Sequence, residues 1–218
     1  MNLIVISRPE FFDGETAIVN DLFAHGMPRL HLRKPQASYS EMESWIAQIT
    51  PAFRPLIVVH DHHELAQYYQ LGGIHLNSRH PEPPAWVEEE RCLRPFTVSR
   101  SCHSLGELTA DTPHSPLDYL FLSPIFDSIS KPDYSSAFSC EELMTAKTSG
   151  LLSSRVYALG GVTFDLLPQV QHLGFYGAAI LGDFWNRIEK GGTSAVYNKL
   201  SMNAEVSSAS YTEERKFF

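Results

Sequence analysis

A single eight-stranded parallel β/α barrel, a (β/α)8 TIM barrel, is the fold this sequence predicts, and three observations predict it. Eight short runs of β-branched and apolar residues recur at a mean spacing of roughly 25 residues, the strand–helix repeat of such a barrel. Most intervals between them carry helical periodicity. The chain has 218 residues, enough for one such domain near the lower end of its size range. An open doubly wound sheet shares the alternation, but eight strands with no glycine-rich first turn favour closure.

The first run is Leu3–Ser7. After it, residues 17–23 place Ile18, Val19, Leu22 and Phe23 on one face of an amphipathic helix. The second run, Arg29–Lys34, precedes Ser40 and Glu43, read as a capping box for a helix carrying Trp45, Ile46 and Ile49. Leu56–Asp61 is the third run. The helix Glu64–Gln70 then stops at Gly72–Gly73, where the fourth run, Gly73–Asn77, begins. Residues 79–90 hold Pro81, Pro83 and Pro84 and are the least helical interval. The fifth run, Phe96–Ser101, and the sixth, Tyr119–Phe126, enclose a helix over Ser104–Ala110. Helices over Cys140–Lys147 and Phe164–Leu173 lead into the seventh run, Arg155–Gly161, and the eighth, Tyr176–Asp183, with Phe184–Glu189 closing the repeat. The barrel domain is read as residues 1–200. The polar segment 201–218 is read as a frayed tail.

Seventeen basic against 25 acidic residues give a net charge of −8, which argues against a nucleic-acid partner, because such binders present a basic face. An anionic substrate must then be held locally by a few cations and backbone amides. Cys92, Cys102 and Cys140 show no pairing pattern and read as reduced thiols of a cytoplasmic protein. The start, MNLIVISRPEFF, lacks the features of a signal peptide. No apolar run approaches the roughly 20 residues of a membrane span.

Barrel chemistry gathers at the carboxyl ends of the strands. Here those ends carry Ser7, Arg8, His31, Arg33, Lys34, the run His60-Asp61-His62-His63, His75, Asn77, Ser99, Ser101, His103 and Ser123. Gly160–Gly161 ends the seventh run and Gly182 the eighth, just before a helix. This is where barrels of this kind bind phosphate through backbone amides, although tight turns alone would also use glycine. Arg33 and Lys34, with Lys131, Ser128 and Ser130 in the loop after the sixth run, are candidates for a second anion site. Asp61 suits Mg2+, whereas His60 and His62 would suggest zinc. Neighbours on a strand point to opposite faces, so these histidines read mostly as helix caps and surface residues.

Taken in order, the segments LHLRKP, VHDHHELAQYYQLGGIHL, SRSCHSLGEL, DYLFLSPIFDSISK and YALGGVTFDLLPQVQHLGFYGAAILGDFW resemble the thiamine phosphate synthase family, which includes the related thiazole tautomerases. The resemblance runs from Leu3 to about Trp185. It implies an enzyme that joins a pyrimidine methyl diphosphate to a thiazole phosphate and releases pyrophosphate. A pyrimidine carbocation would be captured by the thiazole nitrogen, with magnesium and cationic side chains stabilising the leaving group. Carried over by position, Arg33 and Lys131 hold diphosphate, assisted by Ser101, Ser128 and Ser130. Asp61 ligates Mg2+, and Gly160, Gly161 and Gly182 bind the thiazole phosphate. The partners implied are small phosphorylated molecules, and a homodimer is an arrangement common in such families.

The departures are as specific. The family pattern Gln-x-Arg-x-Lys becomes His31, Arg33 and Pro35. The second magnesium carboxylate, expected after the fourth strand, is replaced within Asn77-Ser78-Arg79-His80, with His80 at the ligand position. Three readings follow: a divergent synthase; a tautomerase-like isomerase in which His31 or His103 moves a proton; and a non-catalytic paralogue that binds thiamine phosphates.

Overall fold

The computed structural model describes residues 1–110, 116–127, 136–152 and 155–200. Its eight parallel strands close in chain order into one barrel: β1 (Asn2–Ile6), β2 (Leu30–Leu32), β3 (Ile57–Val59), β4 (Gly73–Leu76), β5 (Thr97–Cys102), β6 (Tyr119–Leu122), β7 (Val156–Ala158) and β8 (Gly177–Ile180). The ring is sealed between β1 and β8, where Asn2, Leu3, Ile4 and Val5 pair with Gly177, Ala178, Ala179 and Ile180. All eight expected runs contain a strand. Six of the eight paired segments are shorter than the runs, and β1 and β5 match theirs in length with a shift of one residue.

The helices between strands are α1 (Glu15–Ala24), α2 (Tyr39–Ala47), α3 (Glu64–Tyr68), α4 (Val87–Leu93), α5 (Leu105–Ala110), α6 (Cys140–Thr148), α7 (Leu167–His172) and α8 (Gly182–Gly191). The capping box of α2 is Ser38 with Glu41, not Ser40 with Glu43. The sequence offers both registers, and the earlier one adds helical hydrogen bonds ahead of the buried Met42, Trp45 and Ile46. The proline-rich interval after β4 does reach a helix, but only at Val87, beyond the last proline. Residues 194–200 are helical and bury Val196 and Leu200; the tail from residue 201 lies outside the described residues. No helix among the described residues is long and apolar enough to cross a membrane.

Period-two alternation along each strand makes two cores. Outward residues such as Val5, Leu30, Val59, Ile74, Val98, Leu122 and Ala158 pack beneath the helices. Inward residues fill the lumen, where the apolar set is small: Ile4, Ile6, Tyr119, Phe121 and Ala179. His31, His60, His75 and Ser99 occupy the rest of that interior and are buried. A lumen of mixed polar and apolar side chains therefore underlies the mouth.

Candidate active site

Arg33 and Lys34 part company at the end of β2. Arg33 is exposed at the mouth and its guanidinium has no hydrogen bond or ion pair among the described residues. Lys34 points the other way, beneath α1. Its Nζ donates to Glu15 Oε1 at 2.7 Å, Glu15 Oε2 at 2.8 Å and the Glu10 carbonyl at 2.8 Å. Trp45 Nε1 donates to the same carboxylate at 3.0 Å. Burial outweighs the pairing at both ends, raising the Glu15 carboxyl and lowering the Lys34 ammonium relative to their ordinary values. Lys34 is therefore a structural cation and takes no part in anion binding, correcting the expectation from the sequence. Strand alternation is the reason: consecutive residues cannot both face the mouth.

Asp61 follows β3 at the rim, and its carboxylate is already occupied. Arg79 Nη2 donates to Oδ1 at 2.6 Å and to Oδ2 at 2.8 Å, while its Nε donates to Oδ1 at 3.1 Å. Asn77 Nδ2 donates to Asp61 Oδ1 at 3.2 Å. A bridge between Asn77 and His80 turns the chain so that Arg79 reaches back over the mouth. Magnesium needs anionic oxygens, and here one carboxylate is neutralised by a guanidinium while the turn Asn77-Ser78-Arg79-His80 brings no second carboxylate to it. The donor set does not fit the ion. The sequence leaves open whether Arg79 or His80 takes over a role from the missing carboxylate, and the contacts show Arg79 paired with Asp61.

The glycine pair ends β7 in left-handed backbone, with φ of 90° at Gly160 and 65° at Gly161. A Cβ on Gly160 would lie 2.8 Å from Pro124 Cα, and one on Gly161 would lie 2.3 Å from the Asp127 carbonyl oxygen. The loop after β6 thus packs directly onto this turn, through Ile125 N–H to the Leu159 carbonyl at 2.9 Å and Phe126 N–H to the Gly160 carbonyl at 3.0 Å. The two glycine amides have no partner among the described residues. Gly182 opens the neighbouring α8, whose first-turn amides lack intrahelical acceptors. Asp183 in that turn accepts from Phe164 N–H at 3.0 Å and from Arg187 Nε at 2.9 Å, which offsets its charge.

Ser101 and His103 stand at the end of β5. Ser101 is half-buried and contacts His75 Nε2 at 3.0 Å; exposed His103 contacts Ser123 through Nδ1, at 3.2 Å to the carbonyl and 3.3 Å to Oγ. Ser128, Ser130 and Lys131 lie outside the described residues.

The histidines depart from the expectation of caps and surface. His60 and His63 are buried, and His60 turns into the lumen against His31 and His75. His63 does begin α3, without a side-chain cap. His31 is 0% exposed, so a molecule in the mouth meets His60 before it. Desolvation holds His31 and His60 well below the ordinary histidine range, helped by His75 and Arg29 at His31, and by His75, His31 and Arg33 at His60. His75 is lowered to about 3, first by burial and then by His63 and Arg33. All three imidazoles are neutral at physiological pH.

Residues 3–184 match the family model described as thiamine monophosphate synthase. A thiamine-phosphate synthase of Levilactobacillus brevis is 31% identical over 124 residues, 57% of this chain and 56% of that protein. A putative thiamine-phosphate synthase 2 of Aquifex aeolicus is 26% identical over 83% of this chain and 95% of its own length. The chain thus spans only about half the length of the Levilactobacillus relative but nearly all of the Aquifex one. The crystal structure of a thiamine phosphate pyrophosphorylase from Bacteroides thetaiotaomicron superposes with a TM-score of 0.79 at 35% identity, covering 94% of this chain and 98% of that one. The match across the whole barrel, mouth and phosphate-type turn included, shows that the chain belongs to the thiamine monophosphate synthase family.

Proposed function

We propose that this chain joins a pyrimidine methyl diphosphate to a thiazole phosphate, releasing pyrophosphate and forming thiamine phosphate. The observation that carries the reading is Arg33, whose guanidinium stands at the mouth of a barrel of this family with no partner among the described residues. In the reaction the bond from the pyrimidine methyl carbon to the diphosphate oxygen breaks, and its electron pair leaves with the oxygen. The thiazole ring nitrogen supplies the pair for the new carbon–nitrogen bond. Negative charge therefore grows on the departing diphosphate, and fixed donors aimed there lower the barrier.

Arg33 supplies a planar fork for those oxygens. Arg79 uses Nε and Nη2 on Asp61, which leaves its Nη1 face available, and its side chain is 56% exposed. Ser101 adds a hydroxyl, and Lys131, Ser128 and Ser130 belong to the same proposed set. Gly160, Gly161 and Gly182 offer amides to the thiazole phosphate. The filled lumen below, with Phe121 and His31, keeps both substrates in the mouth.

The test is formation of thiamine phosphate by the purified protein from the two phosphorylated halves, with Mg2+ and with chelator. No product under either condition overturns the reading. The Asp61–Arg79 pair favours one second reading, isomerisation of a thiazole phosphate tautomer, which needs neither metal nor diphosphate. Exposed His103 would then move the proton. Turnover of that tautomer without formation of thiamine phosphate distinguishes it.

A further inference from the structure

Barrels of this architecture usually fill the lumen with branched apolar side chains. Here three successive strands deliver imidazoles into it: His31 from β2, His60 from the end of β3 and His75 from β4. One ring nitrogen from each lies within 4.8 Å of the other two. His31 Nδ1 and His60 Nε2 are 2.9 Å apart, and the rings of His60 and His75 stack with centroids 4.2 Å apart.

The hydrogen bonds around them orient the lone pairs. Ser99 Oγ lies 2.8 Å from His75 Nδ1 and 3.4 Å from the Ile74 carbonyl, so it accepts from Nδ1–H when its own proton goes to that carbonyl. That tautomer leaves the His75 Nε2 lone pair facing Ser101, at the mouth side. On the far side His31 Nε2 is 2.7 Å from the Tyr119 hydroxyl, which also receives Arg29 Nη1 at 3.3 Å. With Nε2–H given to Tyr119, His31 presents the Nδ1 lone pair to the cluster. Ligand histidines are characteristically held in this way, the non-ligating nitrogen tied to a polar partner.

We propose that His31, His60 and His75 form a three-histidine site for a divalent transition-metal ion of the zinc class, with its open coordination position toward Ser101 and the mouth. Three neutral nitrogen donors suit zinc, cobalt or nickel, and the absence of a carboxylate in the set disfavours magnesium and calcium. Tetrahedral zinc with bonds of about 2.0–2.1 Å sets its ligands roughly 3.4 Å apart. That separation lies above the 2.9 Å between His31 and His60 and within the 4.8 Å that bounds the set. The imidazoles of His60 and His75, stacked at 27°, close the site by turning about their side-chain bonds until both lone pairs meet the ion. Three protein ligands and one free position are the arrangement of zinc centres that bind water or substrate rather than centres that only hold a fold together. Of the three residues His60 is the most exposed, at 6%, and marks the entry side. Arg29 and Arg33 stand nearby, so the affinity must come from the metal–nitrogen bonds themselves. The proposal does not depend on the reaction assigned to the mouth.

The test uses the full chain, stripped with chelator and dialysed, then titrated with Zn2+ by calorimetry and with Co2+ by visible absorption. One equivalent of Zn2+ should bind, and Co2+ should give the intense d–d bands of tetrahedral coordination. His60→Ala should abolish both signals, and Ser99→Ala, which keeps every ligand, should weaken binding about 10–100-fold. His172→Ala, on the exposed surface of α7, should change neither. Failure of the wild type to bind Zn2+ stoichiometrically overturns the proposal. So does binding that survives His60→Ala in a folded variant, or weak octahedral Co2+ bands. The Ser99→Ala titration and the wild-type Co2+ spectrum decide the matter even if His60→Ala does not fold.

Discussion

Lowering the pH of the metal-free protein from about 7.5 to about 5 should destabilise the barrel in proportion to its buried neutral imidazoles. An unfolded histidine titrates near pH 6.5, roughly. His75 in the native barrel does so at about 3. Between those values the unfolded chain carries a proton that the native one refuses. A depressed native pKa means that stability is complete above the unfolded value and is lost as the pH falls toward the native one. Each such histidine removes about 1.4 kcal/mol per pH unit. For His75 alone the fall from pH 6.5 to 5 is therefore roughly 2 kcal/mol. His31 and His60 are lowered in the same direction, for the same first cause, burial. Their contributions add to that of His75.

The assay is urea unfolding in chelator at a series of pH values. The slope of unfolding free energy against pH counts the protons taken up, and it should be positive between about pH 6 and pH 5. His31, His60 and His63 add to His75 in the same direction, while Glu15, whose carboxyl burial raises, subtracts. Carboxylates held low by hydrogen bonds, such as Glu41 and Glu142, lose their contribution only at more acid pH. Replacing His60 by Gln should lower the slope, whatever it does to stability at neutral pH. A flat profile over this window, or an unchanged slope in the variant, refutes the reasoning.

Arg79→Ala should free Asp61 and raise affinity for Mn2+, used as a magnesium probe, about tenfold by calorimetry; unchanged affinity would mean the pair does not block the site. Arg33→Ala should weaken pyrophosphate binding by at least about tenfold while shifting unfolding free energy by no more than about 0.5 kcal/mol. Lys34→Met should cost about 3–5 kcal/mol in urea unfolding because Glu15 stays buried and unpaired, and adding Glu15→Leu should recover most of it. Gly161→Ala must place a Cβ 2.3 Å from the Asp127 carbonyl oxygen at positive φ. It should destabilise by more than about 2 kcal/mol and weaken thiazole phosphate binding.

The barrel was legible because strand–helix periodicity is a local signal, and each expected run holds a strand. The glycine pair was legible for the same reason, since its backbone demand is set by adjacent residues. What stayed hidden depends on distance in sequence. Tyr119 and His31 are 88 residues apart, and Arg79 and Asp61 are 18 apart; only the closed ring and the turn after β4 bring them together. The histidine run misled because its spacing says which residues alternate but not which set faces the lumen. Facing is decided by neighbouring strands: the register that aligns Val58 with Gly73 points His60 and His75 into the same interior. Lys34 misled for the complementary reason, since its partner Glu15 lies on a helix whose docking the sequence does not specify.

Mouth and lumen are coupled electrically, and the size of the coupling decides whether their chemistries can be tested apart. Arg33 is one of the charges that hold His60 and His75 neutral. An anion bound to Arg33 cancels part of that field and favours protonation of both imidazoles, and by linkage their protonation favours the anion. Yet desolvation is the larger cause at each histidine, and filling the mouth with substrate removes more water rather than less. The imidazoles therefore stay neutral when diphosphate binds near pH 7, and their lone pairs stay available to a metal. Anion binding at Arg33 and metal binding in the lumen should accordingly be separable by mutation at neutral pH. They should become interdependent only in the acid range where the barrel itself begins to yield.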